Sequence, residues 1–247
     1  MSAFLLMTRI SLRQLLGRRW VILIGLVALL PTVVMAVQAN VGSTRLSEAF
    51  TEGPLLTLFL LVLPLTSILL GSLAVGEDRR DQTLSFLVVR PRRRESIAAA
   101  KVIAAWLSAW SIAALSGVTA AAVLGLADGD WGMVGPVILA TGISTLAYVG
   151  VFSLVGYLTR WAVLLGAAFL FFWETGISNA SDSLANISLF RIGLTAFVDL
   201  VPRTSGALDS VMASLRPGAL GAAAKAVVIG SLGVVAIAQL MRRRDIA

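Results

Sequence analysis

The sequence predicts an all-α polytopic membrane protein with six transmembrane helices in a single domain, residues 1–247. The chain is 58% hydrophobic and 13% charged, and its mean hydropathy is +0.92. Apolar runs of about 20 residues recur along it, and each can cross a hydrocarbon core of ~30 Å. The alternative, a soluble all-α protein, is disfavoured because a soluble domain of this length needs far more polar surface.

Missing residue types exclude several functions. The sequence contains no cysteine and no histidine, which excludes disulfides, thiolate or histidine metal sites and Ser-His catalysis. A sequence pI of about 11.2 is also found in nucleic-acid-binding proteins. Here the arginines stand at the ends of apolar runs, so we expect them to set membrane topology and expect no nucleic-acid partner.

The first twenty residues predict an interfacial helix that connects into the membrane. Arg9 and Arg13 are i,i+4 neighbours and lie on one stripe of such a helix. A surface-lying helix of this kind keeps its charged side in water and its apolar side in the bilayer. The alternative for this segment is a disordered cytoplasmic tail.

Six apolar runs follow as candidate membrane spans. Pro31 and Pro64 lie inside the first and second runs, where we expect them to kink the helices. The third run is longer than a bilayer needs, so its first turns must project from the membrane or the helix must tilt. The approximate limits of the six runs are 20–37, 54–75, 97–126, 134–158, 162–178 and 222–241.

The basic residues fix the predicted orientation. With six spans and the N-terminus inside, fifteen of the twenty basic residues fall on the inner side and five on the outer side. This bias predicts a multi-pass protein of the plasma (inner) membrane with both termini cytoplasmic. Trp20, Trp131 and Trp161 fall at predicted interfaces, as in an aromatic belt.

A further apolar segment, residues 184–201, is ambiguous between a seventh span and a shorter helix. It contains Arg191 and Asp199, which are costly in lipid. A seventh span would also place the arginines of the C-terminus outside. We therefore predict an outer interfacial or re-entrant helix between spans five and six.

The segment between spans two and three concentrates charge of both signs. Leu84, Leu87 and Val88 recur there at helical spacing, and Pro91 ends the pattern. The spacing predicts a short cytoplasmic helix outside the bilayer. One interpretation is a positive-inside anchor for anionic headgroups; the other, favoured by the mixed charge, is a docking surface for another protein.

This order of parts resembles the membrane subunit of an ABC-2 type transporter. Members of that family have a coupling helix between spans two and three, preceded by an acidic residue and followed by Gly-Lys at the start of span three. Glu77, Gln82–Leu84, Pro91–Arg94 and Ala100–Lys101 match its motifs. Glutamine, arginine and alanine stand where the family has glycine, serine and glycine.

The resemblance implies a permease of an ABC exporter that works as a homo- or heterodimer with two separate ATPase subunits. The chain itself lacks the G-x-x-x-x-G-K-[ST] motif that cradles ATP phosphates, so ATP and Mg are expected on the partner and no cofactor on this chain. The residues that we expect to contact the ATPase are Glu77, Asp78, Arg79, Arg80, Asp81, Gln82, Thr83, Leu84, Leu87, Val88, Pro91, Arg94 and Lys101.

Two other function classes compete with transport: a scaffold or immunity-type membrane protein, and a membrane-embedded enzyme. An enzyme needs ionisable groups at its chemistry, and the predicted spans offer chiefly Glu174. An intramembrane carboxylate is a candidate functional group. We expect Glu174 near the outer end of span five, where it either has a structural role, for example by pairing with Arg191, or contacts substrate.

Overall fold

The computed structural model describes residues 3–17, 19–41, 45–80, 94–174, 176, 188–201 and 218–244, and these residues are helical apart from short turns. Two short π-helical segments, π1 (Leu58–Val62) and π2 (Phe169–Glu174), continue α-helices. The α-helices are α1 (Ala3–Leu16), α2 (Arg19–Ala28), α3 (Leu30–Val41), α4 (Leu46–Glu52), α5 (Pro54–Thr57), α6 (Leu63–Arg80), α7 (Arg94–Asp128), α8 (Val134–Leu158), α9 (Ala162–Ala168), α10 (Leu189–Leu200) and α11 (Gly218–Arg244).

Within the described residues, five helical segments are long and apolar enough to cross a membrane. Together with the hydropathy of the chain, they make it a multi-pass membrane protein. These segments are Ile22–Val41, Leu46–Gly76, Arg94–Asp128, Val134–Leu158 and Gly218–Arg242. They correspond to five of the six predicted runs. The unusual length predicted for the third run is confirmed, because α7 has 35 residues and is about 52 Å long.

The first span is broken where the sequence predicts a kink. α2 ends at Ala28 and α3 begins at Leu30, with Pro31 in its first turn. Proline has no N–H to donate and its ring interferes with the preceding turn. The hydroxyl of Ser116 on α7 donates to the carbonyl of Ala28 at the break. A neighbouring helix thus supplies a hydrogen-bond donor at the break, which lipid could not.

The second span is interrupted twice, and each interruption has a proline beside it. Pro54 follows Gly53 at the first position of α5, where a missing N–H costs nothing. Pro64 follows π1, in which the amide of Leu63 reaches the carbonyl of Leu58, five residues back. Because Pro64 cannot donate to Leu60, the wider turn lets the chain pass the proline without leaving the helix.

The predicted fifth span is represented by a shorter apolar helix, Ala162–Glu174, made of α9 and π2. Thirteen residues reach about 20 Å as an α-helix, which is less than the ~30 Å of a hydrocarbon core. Most of the predicted continuation to residue 178 lies outside the described residues. The count of six spans therefore stays a prediction.

Helices α6 and α8 form the centre of the bundle. In the spans Leu46–Gly76 and Val134–Leu158, 72% and 67% of the most apolar stretch is buried, against 22% in Ile22–Val41 and 28% in Gly218–Arg242. The first and last spans therefore lie at the periphery of the bundle, with most of their surface exposed. Trp106 and Trp110 of α7 stack on each other, and their indole N–H groups donate to backbone carbonyls of α8.

Glycines bring the backbone of α8 against two of its neighbours, α6 and α11. A Cβ on Gly156 would lie 2.4 Å from the carbonyl oxygen of Ser72 on α6. A Cβ on Gly150 would lie 2.7 Å from the Cα of Gly230 on α11, and one on Gly233 would lie 2.3 Å from the carbonyl oxygen of Gly150. Because lipid is as apolar as the side chains, such close packing is what holds membrane helices together.

We predict that Gly156→Ala destabilises the protein, because the added methyl meets backbone that cannot rotate away. Overpacking of this kind typically costs ~1–3 kcal/mol. The matched control is Gly135→Ala on the same helix, where a Cβ has no neighbour within 4 Å. Thermal unfolding of the detergent-solubilised protein should shift down for Gly156→Ala and not for Gly135→Ala. Equal midpoints for the two variants would contradict the close-packing account.

Candidate functional site

Four helices meet at the end of the bundle from which the predicted coupling segment leaves. Residues from the ends of α1, α6, α7 and α11 share one buried apolar cluster with the C-terminal half of α8. Its members near this end include Leu15, Ala74, Val75, Ala98, Val102, Tyr157, Ala238 and Met241. The N-terminal helix, both flanks of the coupling segment and the C-terminal helix therefore lie at the same end of the molecule.

Lys101 joins the two helices that flank the coupling segment. Its side chain is 6% exposed, and its ammonium donates to the carbonyl of Ala74 on α6 over 3.4 Å. A buried ammonium is costly unless it is hydrogen-bonded, and Lys101 makes further interactions besides this one. The contact ties α7 to α6 close to the points where the predicted segment begins and ends.

Arg94 and Glu95 join the start of α7 to the end of α11. The guanidinium of Arg94 donates to the carbonyl of Met241 over 3.0 Å, and Glu95 pairs with Arg242. Both members of the ion pair are about half exposed, so it adds little stability in water. The hydrogen bond to a backbone carbonyl at the C-terminal end of α11 is also favoured by the helix dipole.

The predicted ATPase-contact residues divide into three groups. Arg94 and Lys101 lie on α7 and donate to backbone carbonyls of α11 and α6. Glu77, Asp78, Arg79 and Arg80 form the last turn of α6, which extends beyond the predicted end of the second span. Asp81, Gln82, Thr83, Leu84, Leu87, Val88 and Pro91 lie outside the described residues.

Glu174 is buried deep in the bundle, not near its outer end as the sequence led us to expect. Its side chain is 5% exposed, and its Oε1 accepts from the hydroxyl of Tyr148 over 3.3 Å. Tyr148 is fourteen residues from the start of α8 and ten from its end, hence near the middle of a span. The carboxylate is therefore enclosed by neighbouring helices and does not stand at a water-accessible helix end.

The carboxylate of Glu174 caps the beginning of α10. Its Oε1 accepts from the amides of Leu189 over 2.9 Å and Phe190 over 3.3 Å, and its Oε2 accepts from the hydroxyl of Ser188. The first amides of a helix have no partner within the helix, and its N-terminus favours negative charge. Four donors therefore compensate the burial of the carboxylate.

Ser188 and Tyr148 are the partners that sequence reasoning missed. Ser188 also caps α10, because its side chain accepts from the amide of Arg191 over 3.2 Å. A serine directly before an apolar helical run is a recognisable capping signal. Tyr148 is one of two tyrosines in the chain, and a phenol within an otherwise apolar span is itself a signal for a polar partner.

Glu174 also lies on the wall of an apolar cavity of about 410 Å³, which we call the slot. Two helical faces form most of it, one from π1 and α6 and one from α9 and π2, and Tyr148 of α8 and Phe190 of α10 complete the wall. The slot is lined by Phe59, Leu60, Leu61, Pro64, Leu65, Ile68, Leu69, Tyr148, Val163, Ala167, Leu170, Phe171, Glu174 and Phe190. Both π-helical segments in the described part of the chain border it, and π-turns are frequent at functional sites.

These features define a helical, multi-pass membrane protein. At one end of its bundle, Lys101 joins the helices on either side of the charged residues 81–93, and Arg94 joins one of them to α11. The sequence model of one protein family, described as "ABC-2 family transporter protein", matches residues 16–175, more than half of the chain. The chain belongs to this family of ABC transporter membrane components, which confirms the resemblance inferred from the motifs. Membership implies association with ABC ATPase partners. No curated protein and no solved structure matches the chain.

We predict that Glu174→Ala loosens the start of α10, because its first amides lose their acceptor. An unsatisfied buried donor costs ~1–3 kcal/mol, and ~1.4 kcal/mol corresponds to tenfold. Hydrogen exchange in a peptide covering 188–201 should therefore accelerate about tenfold.

Two variants serve as comparisons for this measurement. Glu174→Gln keeps an acceptor oxygen and should show a smaller acceleration. Glu48→Ala removes an exposed ion pair with Arg45 and should leave the α10 peptide unchanged. Wild-type exchange rates in Glu174→Ala would refute the capping role.

Proposed function

We propose that this chain is the permease subunit of an ABC exporter, which forms the translocation pathway as a dimer and is driven by separate ATPase subunits. The observation that carries the proposal is that both flanks of residues 81–93 are fastened to the bundle. Lys101 holds α7 to α6, and Arg94 holds α7 to α11. A force applied to residues 81–93 would therefore reach α6, α7 and α11 together.

The ATPase would contact the segment from Glu77 to Val89. The proposal rests on its helical apolar spacing, its mixed charge and its place after span two. Coupling between distant sites needs a rigid element with two arrangements, and a helix serves this purpose better than a loop. The chain lacks the motif that cradles ATP phosphates, so the proposal places ATP and Mg on the partner.

We further propose six spans with both termini cytoplasmic in the plasma membrane. α1 and the C-terminal end of α11 lie at the same end of the bundle, which requires an even number of crossings between them. The segment Ala162–Glu174 would be the start of the fifth crossing, which brings the total to six. The arginine-rich C-terminus favours the cytoplasmic side for this end.

Helix α10 would be re-entrant in this arrangement. Its twelve residues reach about 18 Å, which is too short to cross ~30 Å of hydrocarbon. It begins beside Glu174 at mid-span, and Asp199 near its end accepts from the amide of Ala219 at the start of α11. The proposal treats residues 1–247 as one transmembrane domain. It keeps Glu174 as a possible substrate contact because the residue lines the slot.

The topology can be tested with single cysteines, since the native chain has none. We predict that Asp128→Cys, at the end of α7, reacts with a membrane-impermeant maleimide in intact cells. Ala247→Cys should react only after the membrane is permeabilised. Labelling of Ala247→Cys in intact cells would contradict the proposed orientation.

The ATPase contact can be tested with the double variant Leu84→Asp/Leu87→Asp. We predict that the permease still folds, because these leucines would lie outside the bilayer, while ATPase copurification falls about tenfold, equivalent to ~1.4 kcal/mol of binding. The matched control is Leu126→Asp/Leu220→Asp, two leucines that are 81% and 89% exposed at the opposite end of the bundle. The control should copurify normally.

The same experiment separates the competing functions. Normal copurification and transport by Leu84→Asp/Leu87→Asp would contradict the ATPase contact. The result would instead support the interpretation of this segment as an anchor for anionic headgroups. A permease that never copurifies with an ATPase would instead fit the scaffold or immunity-type alternative.

A further inference from the structure

The slot is elongated along the helices that form it. Its lining residues on π1 and α6 extend from Phe59 to Leu69, which is about 15 Å along a helix. Opposite them, Val163, Ala167 and Glu174 follow one face of α9 and π2 at helical spacing. Gly166 contacts Ile68 between the two faces, so the helices run side by side. Because α6 belongs to a membrane-spanning segment and α9 lies alongside it, the slot runs in the direction of lipid chains.

The slot has almost wholly apolar walls and exposed residues at its rim. Except at Tyr148 and Glu174, apolar side chains line it, and the carboxylate of Glu174 is bonded to the start of α10. Leu61 and Phe171 at its edges are 40% and 74% exposed, so a chain could enter sideways from the membrane. The side chains that line an empty apolar cavity lack dispersion contacts on one side, so an apolar occupant is favoured.

We propose that the slot binds one long alkyl chain of a membrane amphiphile. By proportion to an apolar cavity of ~150 Å³ that holds benzene, a volume of about 410 Å³ holds roughly sixteen carbon atoms. This volume is also within the range of small-molecule sites. The alkyl chain can come from a bilayer phospholipid or from an amphiphilic cargo, and the chemistry of the slot is the same for both.

The test uses the purified full-length permease in nanodiscs without any ATPase, so it does not depend on the proposed coupling. Two photoactivatable probes are compared: a phosphatidylcholine and a hexadecylamine, each with a diazirine at the end of an alkyl chain. Peptide mapping should show labelling concentrated on slot residues such as Leu65 and Leu170. Labelling by phosphatidylcholine identifies a bilayer lipid as a source, and labelling by hexadecylamine identifies a single-chain amphiphile.

Variants on one helix make the test specific. Ala167→Trp fills the slot from α9 and should lower slot labelling about tenfold, or ~1.4 kcal/mol. If Ala167→Trp fails to fold, Val163→Trp, one turn earlier on the same face, should lower slot labelling to the same extent. The control is Leu164→Trp, since Leu164 is 63% exposed on the same helix and does not line the slot. Uniform labelling of all lipid-facing helices, or equal labelling in the slot and control variants, overturns the proposal.

Discussion

The close approach of α8 to α6 and α11 is the constraint on which the rest of the structure depends. The backbones come within side-chain distance at Gly156 and Gly150 because neither residue has a Cβ. In a bilayer there is no hydrophobic gain from bringing two apolar helices together, so close packing and interhelical hydrogen bonds must do this. The compact centre leaves room beside α8 for the half-length helix α10.

Apolar run length and proline positions could be predicted from the sequence because they act locally. Five spans, the break before Pro31 and the exceptional length of α7 follow from such signals. The depth of Glu174 could not be predicted, because it depends on where α10 enters the bundle, and that depends on contacts between residues far apart in the chain. Similarly, the chain has 22 glycines, and composition does not indicate which of them touch a neighbouring backbone.

Two kinds of polar contact serve different purposes in this bundle. Glu174 accepts from the first amides of a helix that begins inside the protein, where unpaired groups are costly. Lys101 and Arg94 instead donate to backbone carbonyls of separate helices at one end. The first kind secures an element within the bundle, and the second joins helix ends that a partner could act upon.

The length of α7 gives this helix a mechanical property. A straight α-helix of about 52 Å behaves as a stiff rod, so a tilt of only about 5° displaces one end by roughly 5 Å relative to the other. That displacement is sideways and about half of the ~8–10 Å between the axes of packed helices, enough to change which side chains meet at a helix contact. A small tilt of α7 can therefore act as a lever on the end of this helix that adjoins residues 81–93, while its other end stays in place.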